Sequence, residues 1–432
     1  MRLIPSLCLL LVMAAPVDRS AAAKRFVDLL ARGDFAGAVA MYDETMKTAL
    51  PEARLREAWT AVNTQAGPFQ KQESTRTEQA GAYQTVFVTS RFEKMPLDIK
   101  VVFDENGRVA GLFFAPAAPA KPWEPPAYCR ASSFTEREVT VGTGEWTLPG
   151  TLSVPAGPGP HPAVVLVHGS GPNDRDETMG PNKPFADLAC GLASRGVAVL
   201  RYEKRTKQHA PKLMAARGPF TVKDETLDDA REAVKLLRAT PGIDPKRVFV
   251  LGHSLGGMLA PRLGREDPAL AGLIVLAGNS RPIEDLILEQ LAYLAAQGGG
   301  SEAEKKQLEE IRAEVAKVKA LRPEQANAAE MVMGAPAAYW LDLRGYRPAE
   351  VARDLKHPML VLQGERDYQV TMADFKIWQE TLRVRANVTF KSYPDLNHLF
   401  MTGKGASTPA EYQQPGHVAE PPVTDIAAWI KR

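Results

Sequence analysis

Gly252-His253-Ser254-Leu255-Gly256 is the stretch whose residue types and spacing most directly imply chemistry. An apolar run at residues 248–251 precedes it, and helical apolar spacing opens at Leu255. A serine between a strand and a helix, with glycines two residues away on either side, sits on a sharp elbow with its hydroxyl presented outward. A serine hydroxyl is a weak nucleophile and needs a neighbouring base; the base needs a carboxylate to hold its tautomer. On such an elbow the chain order is serine, then acid, then histidine after the last strand. Of the 7 histidines, His398 alone fits that order, in the loop Pro394-Asp395-Leu396-Asn397-His398 behind a predicted strand at 388–393. His161 and His357 stand beside prolines at strand starts, and His168 ends a strand among glycines. His209 lies in a basic loop, His253 within the elbow and His417 in the tail.

The acid should follow a strand end between these two residues. Residues 361–364 close a strand, and Glu365-Arg366-Asp367 follows. Asp367 is the candidate; Glu365, the runner-up, points the other way on extended backbone. Asp395 reads as a turn residue. A tetrahedral intermediate would carry a negative oxygen and require fixed N–H donors. Leu255, next after the serine, is one candidate donor, and Ser170, in His168-Gly169-Ser170-Gly171-Pro172 after the first core strand, is the other. Arg201-Tyr202-Glu203-Lys204-Arg205 reads as a solvated loop or ion-pair network.

These residues need a scaffold that brings strand ends together. From residue 131 the pattern alternates: a hairpin at 137–141 and 146–154, then strands at 163–167, 197–202, 247–251, 273–276, 359–363 and 388–393. Helices at 185–194, 226–238 and 255–263 separate them, which implies a mostly parallel sheet covered on both faces. An insertion at about 281–353 is largely helical; Ser301 with Glu304 forms a capping box, and Leu308, Ile311, Val315 and Val318 mark one helix face. It is either a lid over the strand C-termini or additional packing.

Residues 21–115 read as a small α+β domain, with helices at 24–30, 35–46 and 52–62 and strands at 83–92, 97–103 and 109–114. It holds no cluster of His, Cys or paired acids and is expected to be an accessory or homodimerisation module. A linker at 116–130 follows; residues 115–127 contain five prolines in thirteen positions, a stiff connector. Residues 1–20 have the layout of a secretory signal peptide, one positive charge and then an apolar run, so the expected location is periplasmic or secreted; an apolar first helix is the alternative. That run is too short for a good membrane span, so stable membrane insertion is not expected. Cys129 and Cys190 would remain after cleavage, free to pair in an oxidising compartment if their side chains meet. A formal net charge of +2 with no long basic run argues against nucleic acid as a partner. No zinc or phosphate-loop pattern is present in the sequence, so neither metal nor cofactor is expected.

With these residues placed, the chain resembles a family of exported bacterial α/β-hydrolases with esterase activity, whose hydrolase domain follows a small module of uncharacterised function. The resemblance rests on LVHGSGPNDRDET (166–178), LRYEKR (200–205), LGHSLGG (251–257), LAGNSRPIEDLILEQ (276–290) and DLNHLF (395–400). It implies an α/β-hydrolase fold at 131–432 and hydrolysis of a small-molecule carboxylic ester through an acyl-enzyme; an exported site enclosed by the insertion as a helical lid would suit short to medium acyl chains. Ser254, Asp367 and His398 occupy the matching positions. Related sequences are similar to serine peptidases and dienelactone hydrolases. A serine exopeptidase or amidase with the same triad, and a binding protein on a hydrolase scaffold, are therefore the alternatives.

Overall fold

The computed structural model describes residues 19–80, 83–117, 123–215, 219–299, 302–327 and 331–432. Residues 1–18 of the expected leader, 118–122 of the expected linker and Ser301 of the expected capping box lie outside these. The chain divides into two compact units, Met1–Ala120 and Lys121–Arg432.

In the first unit, helices α1 (Ser20–Ala31), α2 (Phe35–Val39), α3 (Glu44–Ala49) and α4 (Glu52–Ala66) precede four strands. These are β1 (Phe69–Ala80), β2 (Tyr83–Phe92), β3 (Pro96–Phe103) and β4 (Val109–Pro116), an antiparallel meander in the order β1-β2-β3-β4. Phe26, Leu30, Tyr42, Leu55 and Trp59 from the helical segment pack on Val86, Val88, Ile99 and Phe103 of the sheet. The sequence pattern gave no sign of β1. Its residues, FQKQESTRTEQA, are mostly polar and exposed because the strand lies on the sheet edge, so no alternation marks it. The helix expected at 35–46 is also two helices. Asp43 accepts a hydrogen bond from Met46 N (2.6 Å) and starts a new helix, while Tyr42 leaves the helical path to bridge Val109.

The second unit is an eight-stranded sheet in the order β14-β13-β10-β9-β7-β8-β6-β5. Its strands are β5 (Phe134–Val141), β6 (Leu148–Pro155), β7 (His161–Val167), β8 (Ala198–Tyr202), β9 (Ile243–His253) and β10 (Gly272–Leu276), then a two-stranded ribbon of β11 (Met331–Val332) and β12 (Ala335–Pro336) apart from the sheet, and β13 (Met359–Gly364) and β14 (Val388–Tyr393). From β8 to β14 every pairing is parallel; the β5–β6 hairpin joins β8 antiparallel. The central strands carry unbroken apolar runs, such as residues 163–167 and 248–251, because both faces are covered there. On β7, Ala163, Val165 and Val167 enter one core while Val164 and Leu166 enter the other. Each such Val or Leu contributes roughly 1.5–3 kcal/mol relative to exposure.

The helices are α5 (Pro184–Ala193), α6 (Arg205–Gln208), α7 (Ala210–Ala215), α8 (Asp228–Ala239), α9 (Leu255–Glu266), α10 (Ile283–Gln297), α11 (Glu302–Ala320), α12 (Ala337–Leu343), α13 (Pro348–Arg353), α14 (Met372–Leu382) and α15 (Glu420–Ile430). Helices α8, α9, α13 and α14 cover one face of the sheet, α5 and α15 the other. A disulfide joins Cys129 to Cys190, Cα to Cα 5.5 Å, and fastens the segment before β5 to α5. Between β10 and β13 lies the insertion, α10 to α13. On α11, Val315 and Val318 are buried and Leu308 and Ile311 half-buried, one face as the spacing predicts. The β11–β12 ribbon inside it was not expected. It turns on Met333 and Gly334, both with positive φ (47° and 77°), as a two-residue hairpin turn demands.

Candidate active site

Ser254 stands between β9 and α9 with φ 52° and ψ −117°. A non-glycine residue there costs on the order of 1–3 kcal/mol and persists only where its surroundings hold it. Its N–H donates to the Leu276 carbonyl at the end of β10 (2.9 Å), and its carbonyl accepts from Met258 N (2.9 Å). Neither flanking glycine tolerates a side chain: a Cβ on Gly252 would overlap the Gly256 carbonyl, and one on Gly256 the Val167 carbonyl. Leu255 opens α9, so its N–H has no acceptor within the helix.

Asp367 and His398 arrive from the loops after β13 and β14. The Asp367 carboxylate meets the His398 ring, Oδ2 to Nδ1 2.7 Å, with both residues buried. Its Oδ1 accepts from the backbone N–H groups of Gln369 (2.7 Å) and Val370 (2.9 Å), and Oδ2 also accepts from Gln363 Nε2 (3.1 Å). Glu365 turns the opposite way, where it accepts from Ser392 Oγ (2.7 Å) in an exposed position. His253 carries the elbow to the His398 loop. Its Nε2 donates to the His398 carbonyl (3.0 Å), and the two rings lie 4.7 Å apart. Among the described residues no hydrogen bond runs from Ser254 Oγ to the His398 ring, a contact that commonly tightens only in the complex with substrate.

Sequence reasoning missed a second buried acid–base pair beside the first. Glu177 Oε2 lies 2.9 Å from His253 Nδ1, and its Oε1 accepts from Gly169 N (2.6 Å). Burial alone would lower the His253 pKa, but Glu177 outweighs it and holds the ring above its ordinary value. Burial likewise opposes ionisation of Glu177, yet His253, His168 and Gly169 N–H keep its carboxyl below the usual range. His168, fully buried, is pushed down to about 4 by loss of solvent and stays neutral near pH 7. An acid within GSGPNDRDET gave no sequence signal of its own, since several carboxylates share that loop.

Ser254, Ser170 and Leu255 line one cavity of about 430 Å³. Ile283, Leu286 and Ile287 of α10, Met333 of the ribbon turn, and Tyr339 and Trp340 of α12 form an apolar wall opposite, so the insertion lines the site. Among the described residues lining it, Glu225 is the one charged side chain. Its Oε1 lies 3.2 Å from Lys204 Nζ, and its Oε2 accepts from Tyr339 OH (3.0 Å). Within the charged run that begins in β8, Arg201 pairs with Asp176 and Glu136, and Arg205 with Asp229, the expected ion-pair network. Lys204, 1% exposed, is no part of a solvated loop.

A sequence family described as the alpha/beta hydrolase family matches residues 164–412. The chain belongs to the alpha/beta hydrolase family. It is an enzyme, a serine hydrolase, with a small antiparallel-sheet domain before the hydrolase domain; residues 23–112 match a family described as a protein of unknown function, DUF3887. It is similar to Esterase EstD of Thermotoga maritima, 40% identical over 94% of this chain and 93% of that one. Among solved structures it is similar to the esterase domain of a Rhodothermus marinus protein (16% identity, 69% of this chain, 98% of that one, TM-score 0.44). It is also similar to an esterase of Pyrobaculum calidifontis (16% identity, 69% and 85%, TM-score 0.45).

Proposed function

We propose that the enzyme hydrolyses carboxylic esters of short to medium acyl chain through an acyl-enzyme on Ser254. The observation that carries this reading is the buried Asp367–His398 contact of 2.7 Å, fastened through His253 to the elbow that presents the serine. With Asp367 holding the Nδ1 proton, His398 Nε2 is the free base. It takes the Ser254 proton as the hydroxyl attacks the ester carbonyl, and Asp367 stabilises the imidazolium. The oxyanion receives N–H donors from Leu255 and Ser170. His398 returns its proton to the leaving alcohol, and water then repeats the sequence to release the acid. The 40% identity to an esterase along nearly the whole chain supports an ester as substrate, as does the apolar cavity wall. Among the described residues Glu225 is the one acid lining that cavity, and it already faces Lys204, which gives no support to a clamp for a peptide amino terminus. The Cys129–Cys190 disulfide supports export to the periplasm or beyond, where such bonds persist.

Hydrolysis of nitrophenyl acetate, butyrate, octanoate and laurate, beside Ser254→Ala, tests the proposal. Turnover that declines toward laurate and disappears in the variant is expected. Equal turnover by wild type and variant would remove Ser254 from the mechanism.

A further inference from the structure

One residue of the loop that follows β7 is gripped on both sides by buried charges. The Gly169 N–H donates to Glu177 Oε1 (2.6 Å), and the Gly169 carbonyl accepts from Lys204 Nζ (2.8 Å). Asn173 Nδ2 donates to the same carbonyl (3.2 Å) and to that of Ser170 (3.0 Å). The loop runs directly against the serine: a Cβ built on Gly169 would stand 3.1 Å from Ser254 Cβ. Both charges belong to buried pairs, Lys204 with Glu225 and Glu177 with His253. Desolvating a charge costs several kcal/mol, and a buried pair rarely returns more than it costs relative to apolar side chains. Two such pairs on one glycine call for a role other than stability.

The peptide plane supplies that role. Gly169 is joined to Ser170 by a trans peptide, in which carbonyl and N–H point to opposite sides. With the carbonyl held toward buried Lys204, the Ser170 N–H of the same peptide plane is directed away from Lys204, and Ser170 lines the cavity together with Ser254. Gly169 N–H, occupied by Glu177, is withdrawn from service. Lys204 is in turn set by Glu225, which sits in a π-helical turn, Lys223–Leu227, and receives Tyr339 OH from the insertion. Single π-helical turns recur at functional sites. We propose that Lys204 is a positioning residue for the oxyanion hole: by holding the Gly169 carbonyl, with Glu177 holding the N–H of the same residue, it aims the Ser170 N–H at the substrate oxygen. This rests on the reading of Ser254 as nucleophile. It gives the LRYEKR segment a function in catalysis at a distance from substrate, through the backbone of another loop.

The test uses the full chain with Lys204→Met/Glu225→Gln, which removes both charges of the pair together, and Asn173→Ala, which removes a second donor to the same carbonyl without touching a buried charge. The probe is a trifluoromethyl ketone, whose serine adduct places an oxyanion in the hole. For the double variant kcat should fall about 30- to 100-fold with KM within threefold, somewhat less than the loss of an oxyanion donor outright. The ketone Ki should rise by the same factor, because only transition-state binding is lost. Asn173→Ala should fall on the same line with a loss of about threefold to tenfold. A merely structural Lys204 would lower the melting temperature and leave the ratio of ketone Ki to KM unchanged in folded protein. That result, or folded variants with kcat within threefold of wild type, would overturn the proposal. Undiminished turnover by Ser254→Ala would overturn the nucleophile assignment and this proposal with it; loss of turnover in Ser254→Ala with a constant Ki/KM ratio in the Lys204 and Asn173 variants would overturn this proposal alone.

Discussion

Replacing Asp367 by Asn changes one atom and should disable the base without disturbing the fold. Oδ1 of Asp367 receives two backbone N–H groups, from Gln369 at 2.7 Å and Val370 at 2.9 Å. An Asn side chain can keep both only by placing its oxygen there. The opposite orientation would leave two buried donors facing an NH2 group, at about 1–3 kcal/mol each. With the oxygen so fixed, the NH2 group takes the place of Oδ2 and faces His398 Nδ1, now 2.7 Å from a donor. His398 must then accept at Nδ1 and carry its proton on Nε2, where it cannot receive the Ser254 proton. The Gln363 Nε2 contact at 3.1 Å also becomes donor against donor, a further modest cost in stability. A wrong tautomer in an otherwise intact triad costs about 10⁴ in kcat, or roughly 5.4 kcal/mol at 1.36 kcal/mol per decade. Steady-state hydrolysis of nitrophenyl butyrate should therefore show kcat reduced by about 10³- to 10⁴-fold, KM within a few-fold, and a melting temperature within a few degrees of wild type. A loss below tenfold, or one carried by KM, would refute the tautomer argument and the assignment of Asp367.

Two further outcomes concern stability. His168 falls from 6.5 to about 4 on burial, so the unfolded chain binds the extra proton between those values and stability is lost as pH falls from about 6.5 to 4. The contribution is about 3 kcal/mol; urea unfolding of wild type and His168→Gln at pH 7 and pH 4.5 should show a smaller pH-dependent drop for the variant, and equal drops would exclude His168 as the cause. The Cys129–Cys190 disulfide closes a separation of 61 residues, and opening a loop of that size costs about 2–4 kcal/mol. The double Cys→Ser variant should unfold at correspondingly lower urea, and reductant should lower the wild-type midpoint to match; a midpoint unmoved by reductant would argue against the bond.

What was legible in the sequence is what short stretches of chain decide for themselves. Strands of a sheet covered on both faces carry unbroken apolar runs, so residues 163–167 and 359–362 stand out; β1, exposed on an edge, has no such obligation and carried no signal. The elbow is legible because Gly252 and Gly256 are forced by contacts within a few residues of Ser254 and with the neighbouring strand end. Strand alternation is equally local, and it separates Asp367, which meets His398, from Glu365, which meets Ser392. Lys204 is the contrary case. Its neighbours Arg201 and Arg205 pair with acids of adjoining segments as a charged run normally does, and nothing in its type or spacing distinguishes it from them. Its burial follows from two segments, the loop holding Gly169 and the turn holding Glu225, converging on one ammonium group. Such convergence is a property of topology, and that sets the limit of sequence reading here. Residues that meet substrate lie at elbows and strand ends and can be found one segment at a time. Residues that aim them are chosen by long-range packing, and they emerge only when the hydrogen bonds of a single glycine are followed on both sides.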